Sequence, residues 1–165
     1  MRAVADASSL IHSAKNPRFW TLMKRTFDEV LIPEGVFQEI LKGREIGSSD
    51  VTIIEGEITN AWIKVRKVRK LLNLPKNLGR GEREAISLMK ETRADWLLID
   101  DRVASITARL MGLKTRSSAY LLIFWNRKGV IKQALELLDN LVNVGYRLGS
   151  KDYVSIKKHI KILPK

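Results

Sequence analysis

Five acidic residues, Asp6, Glu39, Glu82, Asp100 and Asp101, stand where apolar runs end or turn inward. A carboxylate carried toward a core is costly unless it is paired or metal-bound. The chain has no cysteine and only two histidines, His12 and His159, which excludes thiolate metal sites and disfavours an imidazole-built zinc site. Clustered carboxylates are the usual ligands of a hard divalent cation, so Mg²⁺ or Mn²⁺ is the expected cofactor. Such an ion bridges to a scissile phosphate and activates an attacking water, which points to phosphodiester hydrolysis. Gly79-Arg80-Gly81 lacks the lysine and spacing of a triphosphate-cradling loop, and no dinucleotide fingerprint follows the first apolar run, so nucleotide-driven chemistry is disfavoured.

Taken singly, each acid also has a structural reading. Asp6 follows an apolar run and is placed to cap the next helix. On a helical wheel Glu82 projects with Ile86 and Met89 toward the core, while Glu84 projects to water; a first-turn Glu82 also complements the helix dipole. Asp100 and Asp101 are adjacent and point to opposite sides, so one can cap the helix that follows while the other enters a cleft. Glu39 borders the stripe Val36, Phe37, Ile40 and Leu41, and alone reads as a solvated flank. The metal reading rests on the set.

The elements that must position these acids alternate. Residues 2–6 read as a strand, 16–27 as a helix, 29–32 as a second strand closed by Pro33, and Pro33 as the start of a helix over 36–41. Residues 50–58 read as a further strand and 62–72 as a helix with Val65, Val68 and Leu72 on one side. Lys64, Arg66, Lys67, Arg69 and Lys70 then share its other side, where they either track a phosphate backbone or form a solvated face. Helix 82–92, strand 96–99, helix 103–111, strand 113–115 and helices 118–126 and 130–142 complete a βαβα order. That order implies an α/β fold with a mainly parallel sheet covered on both faces, in which ligands bind at the carboxyl ends of the strands. Ser8, Ser9, Arg102, Thr115, Ser117 and Ser118 fall near such ends and are weaker candidates for nucleic-acid contact. Trp20, Trp96, Phe124 and Trp125 lie within apolar patterns and are expected in the core or at a subunit contact rather than as base-stacking platforms.

At 165 residues with 45% hydrophobic composition, a single domain over 1–165 is expected, with the lysine-rich stretch 155–165 folding back on it. No apolar run approaches a membrane span, so a soluble, cytoplasmic protein without membrane association is expected. The formal charge of +12 favours polyanionic partners, nucleic acid first. A lysine-rich surface of the thermophile kind, or a face for an acidic protein, accounts for the charge as well.

Four segments in order, Val4-Ala5-Asp6-Ala7-Ser8-Ser9, Ile32-Pro33-Glu34-Gly35-Val36-Phe37-Gln38-Glu39-Ile40, Gly81-Glu82-Arg83-Glu84-Ala85-Ile86 and Leu98-Ile99-Asp100-Asp101-Arg102, resemble the PIN domain pattern. Gly145-Tyr146-Arg147-Leu148 resembles the tail of a prokaryotic subgroup of that family. The resemblance implies a three-layer α/β/α fold, Mg²⁺- or Mn²⁺-dependent endoribonuclease activity on RNA, a homodimer and, by likeness to VapC-type toxins, a small antitoxin protein as partner. Carried over, Asp6, Glu39, Glu82 and Asp101 match the family's acidic quartet, with Asp100 competing for the strand-end role; Glu82 stands where many members carry aspartate. A PIN-fold nucleic-acid-binding protein without turnover, and a DNA-directed nuclease, are the alternatives.

Overall fold

The computed structural model describes residues 1–161. Five parallel strands form one sheet: β1 (Arg2–Ala5), β2 (Glu29–Pro33), β3 (Ile63–Arg66), β4 (Trp96–Leu98) and β5 (Thr115–Arg116), in the order β3-β2-β1-β4-β5. Ala3, Val4, Ala5, Val30 and Ile32 are fully buried, as expected of parallel strands covered on both faces. In register, Val4 pairs with Leu31 on one side and with Leu97 on the other, and Ala5 pairs with Leu98. The chain moves outward from β1 through β2 to β3, then returns to lay β4 and β5 on the other side. The reversal between β1 and β4 is a topological switch point, where α/β sheets open a crevice at the carboxyl ends of their strands.

The connections are α1 (Ala7–Ala14), α2 (Pro17–Thr26), α3 (Glu34–Lys42), a 3₁₀ turn (Gly43–Ile46), α4 (Ser49–Thr59), α5 (Arg80–Thr92), α6 (Arg102–Leu110), α7 (Ser118–Arg127), α8 (Ala134–Asn143) and α9 (Ser150–Lys161). The result is a three-layer α/β/α architecture. Helix α5 crosses β2, β1 and β4 with α3 and α6 against it, while α1 packs on α2, α4 and α7, and α7 carries α8 and α9. The buried apolar side chains form one continuous cluster. Trp125, 1% exposed, stacks edge-on to Phe19 and donates its ring N–H to Thr26, tying α7 to α2. Trp20 is buried as well, and Trp96 and Phe124 pack partly buried against the cluster. No helix among the described residues is long and apolar enough to cross a membrane.

Two expected elements are corrected. Residues 50–58 belong to α4 rather than a strand, because Val51 and Ile54 are spaced for one helical face and are buried together with Asp50. Residues 62–72 are not a helix. Ile63 and Val65 turn inward alternately with Lys64 and Arg66, a period of two that pairs as the edge strand β3 against β2. The basic residues 64–70 therefore share no helical face. Lys64 pairs with Glu29 at 2.5 Å, and Arg66, Lys67, Arg69 and Lys70 line a hollow against Leu88, Glu91 and Thr92 of α5. Ser155 to Lys161 fall within α9, which packs on α7 and α8; residues 162–165 of the expected domain and tail lie outside the described residues.

Candidate carboxylate site

Asp6 stands one residue past β1, where the chain turns into α1. Its Oδ1 accepts the Ser9 N–H at 2.8 Å, so it caps α1, and its own N–H donates to the Leu98 carbonyl of β4 at 3.0 Å. The Ser9 hydroxyl, bonded to the carbonyls of Asp6 and Leu98, stitches the same turn to the same strand end. Asp6 is thus more than a cap, because these bonds hold a carboxylate that is 3% exposed beside the end of β4. There the Asp100 N–H approaches Asp6 Oδ2 at 3.4 Å.

Asp100 follows β4, and its side chain is 6% exposed. It accepts the Ser118 N–H at 2.7 Å and the Ser118 hydroxyl at 2.9 Å, and lies 3.1 Å from His12 Nδ1. The His12 ring stands edge-on to Tyr146 at 5.4 Å. Tyr146 follows Gly145, whose φ of +103 closes α8 in a left-handed turn, with the Tyr146 N–H reaching back to Leu141. Neither Asp6 nor Asp100 pairs with a lysine or arginine among the described residues. Burial first, then the charge of Asp100, pushes the Asp6 carboxyl from 3.8 up to about 7. Burial first and Asp100 second also push the Tyr146 hydroxyl up.

Asp101 is exposed and caps α6, accepting the Ala104 N–H at 2.8 Å. The tertiary structure thus distinguishes two adjacent aspartates that the sequence left equivalent: Asp100 enters the buried network, and Asp101 stands at the rim. Glu82 reaches back to the Gly79 N–H at 2.9 Å at the start of α5. Its carboxyl is raised by burial, opposed by that hydrogen bond, with the charges of Asp101 and Glu39 adding to the rise. Glu39, on α3, accepts the Gly81 N–H at 3.0 Å, and Glu84, on α5, accepts the Gly35 N–H at 2.6 Å. Two helices thus cap one another's first turns, and each glycine is needed for the approach: a Cβ on Gly81 would lie 2.6 Å from Glu39 and one on Gly35 2.7 Å from Glu84. The expectation that Glu84 faces water is corrected; its side chain is 12% exposed because α3 docks on that side and Arg80 pairs with it.

A cleft of about 410 Å³ is lined by Ser8, His12, Glu82, Asp100 and Asp101 together with residues 145–147. The structure brings Ser8 to this cleft and places Arg102 and Ser117 in the adjoining groove. Ser9 and Thr115 are buried, Thr115 against Ser105. The hollow of residues 66–70 shares no lining residue with the cleft. His12 enters the site without a sequence signal, Tyr146 and Arg147 with only the family-like tail to announce them, and Ser118, expected near a strand end, serves there as a donor to Asp100.

The donors are carboxylate oxygens, the ligand type of hard cations. Among the described residues no three Asp, Glu or His side chains converge as a ready cage. Mg²⁺ characteristically keeps several waters and uses one or two carboxylates, and a carboxyl pushed up first by burial and then by a neighbouring carboxylate, as Asp6 is, is the situation that a divalent cation relieves. Asp100, Glu82 and Asp101 line the cleft and Asp6 lies behind it against the Asp100 N–H, so these are the carboxylates that could hold such an ion.

A family model described as DUF3368: PIN domain matches residues 2–161. No curated protein matches the chain. Among solved structures, a PilT N-terminus domain protein from the hyperthermophilic archaeon Sulfolobus solfataricus P2 is similar at 15% identity and a TM-score of 0.47, over 90% of this chain and 98% of that one. A domain of a functionally unknown protein from Methanocaldococcus jannaschii DSM 2661 is similar at 18% identity and a TM-score of 0.48, over 70% and 89%.

Proposed function

Because this chain belongs to the PIN domain family, we propose that its carboxylate cleft is the active site of a divalent-metal-dependent endoribonuclease, carried by a single domain. The observation that carries this reading is the Asp6–Asp100 pair, two carboxylates with buried side chains at the switch point, neither paired with a lysine or arginine among the described residues. Asp6 and Asp100, with Glu82 and Asp101 beside them, would hold Mg²⁺ or Mn²⁺. The chemistry such an ion supplies is neutralisation of phosphodiester charge and activation of water.

The remaining work belongs to the chain's own groups. The Ser9 N–H holds Asp6 Oδ1, and Ser118 fixes both oxygens of Asp100 while His12 abuts one of them, so the pair presents a set orientation. Glu39 fixes the start of α5 and thereby Glu82. No side chain need act as nucleophile.

A VapC-like role is part of the same proposal: a small antitoxin-like protein would block the cleft by setting a basic side chain among the carboxylates. Co-purification of such a protein and its suppression of cleavage test this. The stripe Val103, Ile106 and Leu110 on α6, 46%, 41% and 85% exposed, supports a homodimer, which light scattering decides.

One observation favours a second reading, a PIN-fold protein that binds nucleic acid without cutting it. Glu39 and Asp101 are engaged at helix N-termini, and no cage is assembled among the described residues. The deciding experiment is cleavage of labelled RNA and DNA with Mn²⁺, Mg²⁺ or EDTA by wild type, Asp6→Asn, Asp100→Asn and Asp101→Asn. RNA cutting that needs metal and is lost in Asp6→Asn and Asp100→Asn supports the nuclease; a folded wild type that binds RNA but leaves it intact supports the second reading.

A further inference from the structure

A second groove of about 370 Å³ adjoins the cleft and shares Asp100, Tyr146 and Arg147 with it. One wall is α6, where Arg102, Ser105 and Arg109 follow at helical spacing and all line the groove. The other wall is α9, which contributes Asp152, Ser155 and Ile156, and Leu148 joins the lining. Arg147 stands where groove and cleft meet, held there by its buried neighbour Tyr146 and the left-handed Gly145 turn.

Arg102, Arg109 and Arg147 are exposed, and none joins an ion pair among the described residues; the arginines that do are Arg2, Arg44 and Arg80. These three line a trough whose acids are Asp152 and the already engaged Asp100. Guanidinium forks match phosphate oxygens in geometry and charge. The apolar Leu148 and Ile156 beside them suit the riboses and unpaired bases of a single strand.

We propose that this groove is the backbone track for single-stranded RNA entering the carboxylate cleft, with Arg147 meeting the phosphate next to the cleft and Arg102 and Arg109 the phosphates beyond it. The inference rests on the nuclease reading and names the path its substrate takes. It also separates the two basic regions of the chain. Arg66 and Lys67 line a hollow that shares no residue with groove or cleft, so they lie off the track.

The test is fluorescence anisotropy of a labelled single-stranded RNA of mixed sequence, in EDTA so that it stays intact, across a salt series. Single-stranded DNA of the same sequence is run beside it. The proteins are wild type, the Arg102→Ala/Arg109→Ala/Arg147→Ala triple variant and an Arg66→Ala/Lys67→Ala control, each checked by circular dichroism. Each lost phosphate contact on a single strand should flatten the slope of log Kd against log salt by about 0.7, so the triple variant should lose roughly 2 while the control keeps the wild-type slope. An unchanged slope in a folded triple variant, an equal loss in the control, or a wild type that binds no RNA overturns the track. Mn²⁺-dependent hydrolysis of bis(p-nitrophenyl) phosphate, too small to use the groove, reads the cleft separately: if Asp6→Asn abolishes that hydrolysis, the cleft reading stands even where the track has failed.

Discussion

Replacing Asp6 with asparagine should stabilise the metal-free protein, and the gain should grow with pH. Asp6 is 3% exposed, and its carboxyl is pushed from 3.8 to about 7 by burial and by Asp100. The unfolded chain therefore releases this proton near pH 4 while the native state holds it to about pH 7. The native state binds more protons in that window, so stability is lost as pH rises through it and the loss is complete above it. A shift of about 3 units corresponds to an upper bound near 4 kcal/mol. Relaxation around the buried carboxyl softens this, so about 1–3 kcal/mol is expected to be realised. Asparagine keeps an oxygen for the Ser9 N–H and so preserves the cap on α1. Because about a third of the effect is already present at pH 5, thermal unfolding in EDTA at pH 5 and pH 8 should show the variant's melting temperature gaining on wild type by about 1–7 °C between the two conditions. Mn²⁺ should then raise the wild-type transition at pH 8 more than that of the variant. A difference between the two proteins that stays constant from pH 5 to pH 8, or that shrinks, would refute the reasoning.

Ser118→Ala removes a hydroxyl donor to Asp100 at 2.9 Å and leaves the backbone donor in place. Its expected cost is about 1 kcal/mol in the cleavage transition state, roughly a fivefold fall in kcat/KM with an unchanged circular dichroism spectrum. Gly81→Ala sets a Cβ 2.6 Å from the Glu39 carboxylate and displaces its bond to the α5 N-terminus; with the helix gain of alanine offsetting part of the lost bond, urea unfolding should show a net loss of up to about 2 kcal/mol. Trp125→Ala empties a fully enclosed site and removes the N–H that Thr26 accepts, with an expected loss of about 3–5 kcal/mol in the same assay.

The sequence by itself determined the alternation of strands and helices, the acid after β1 and the acids after β4. Those features are written in local chemistry: apolar runs buried on both faces, small polar residues starting helices, and glycine or proline ending elements. The family pattern also placed Glu39 and Glu82 together, which their distance along the chain does not. Periodicity failed where runs were short. Residues 50–58 and 62–66 carry β-branched residues compatible with either period, and only docking onto the core decided that the first is helix α4 and the second is strand β3.

The roles of individual acids were a tertiary decision. Asp100 and Asp101 are neighbours of one type, and Ser118 and His12, from two other elements, draw Asp100 inward while Asp101 caps its own helix. Glu84 points away from the core on a wheel but toward α3 in the fold, because a wheel knows one helix and not its neighbour. His12 and Arg147 had no chemistry of their own to announce them. Their places come from packing against Tyr146 and from a turn that brings the end of α8 to the switch point between β1 and β4, contacts between residues distant in the chain that no local pattern encodes.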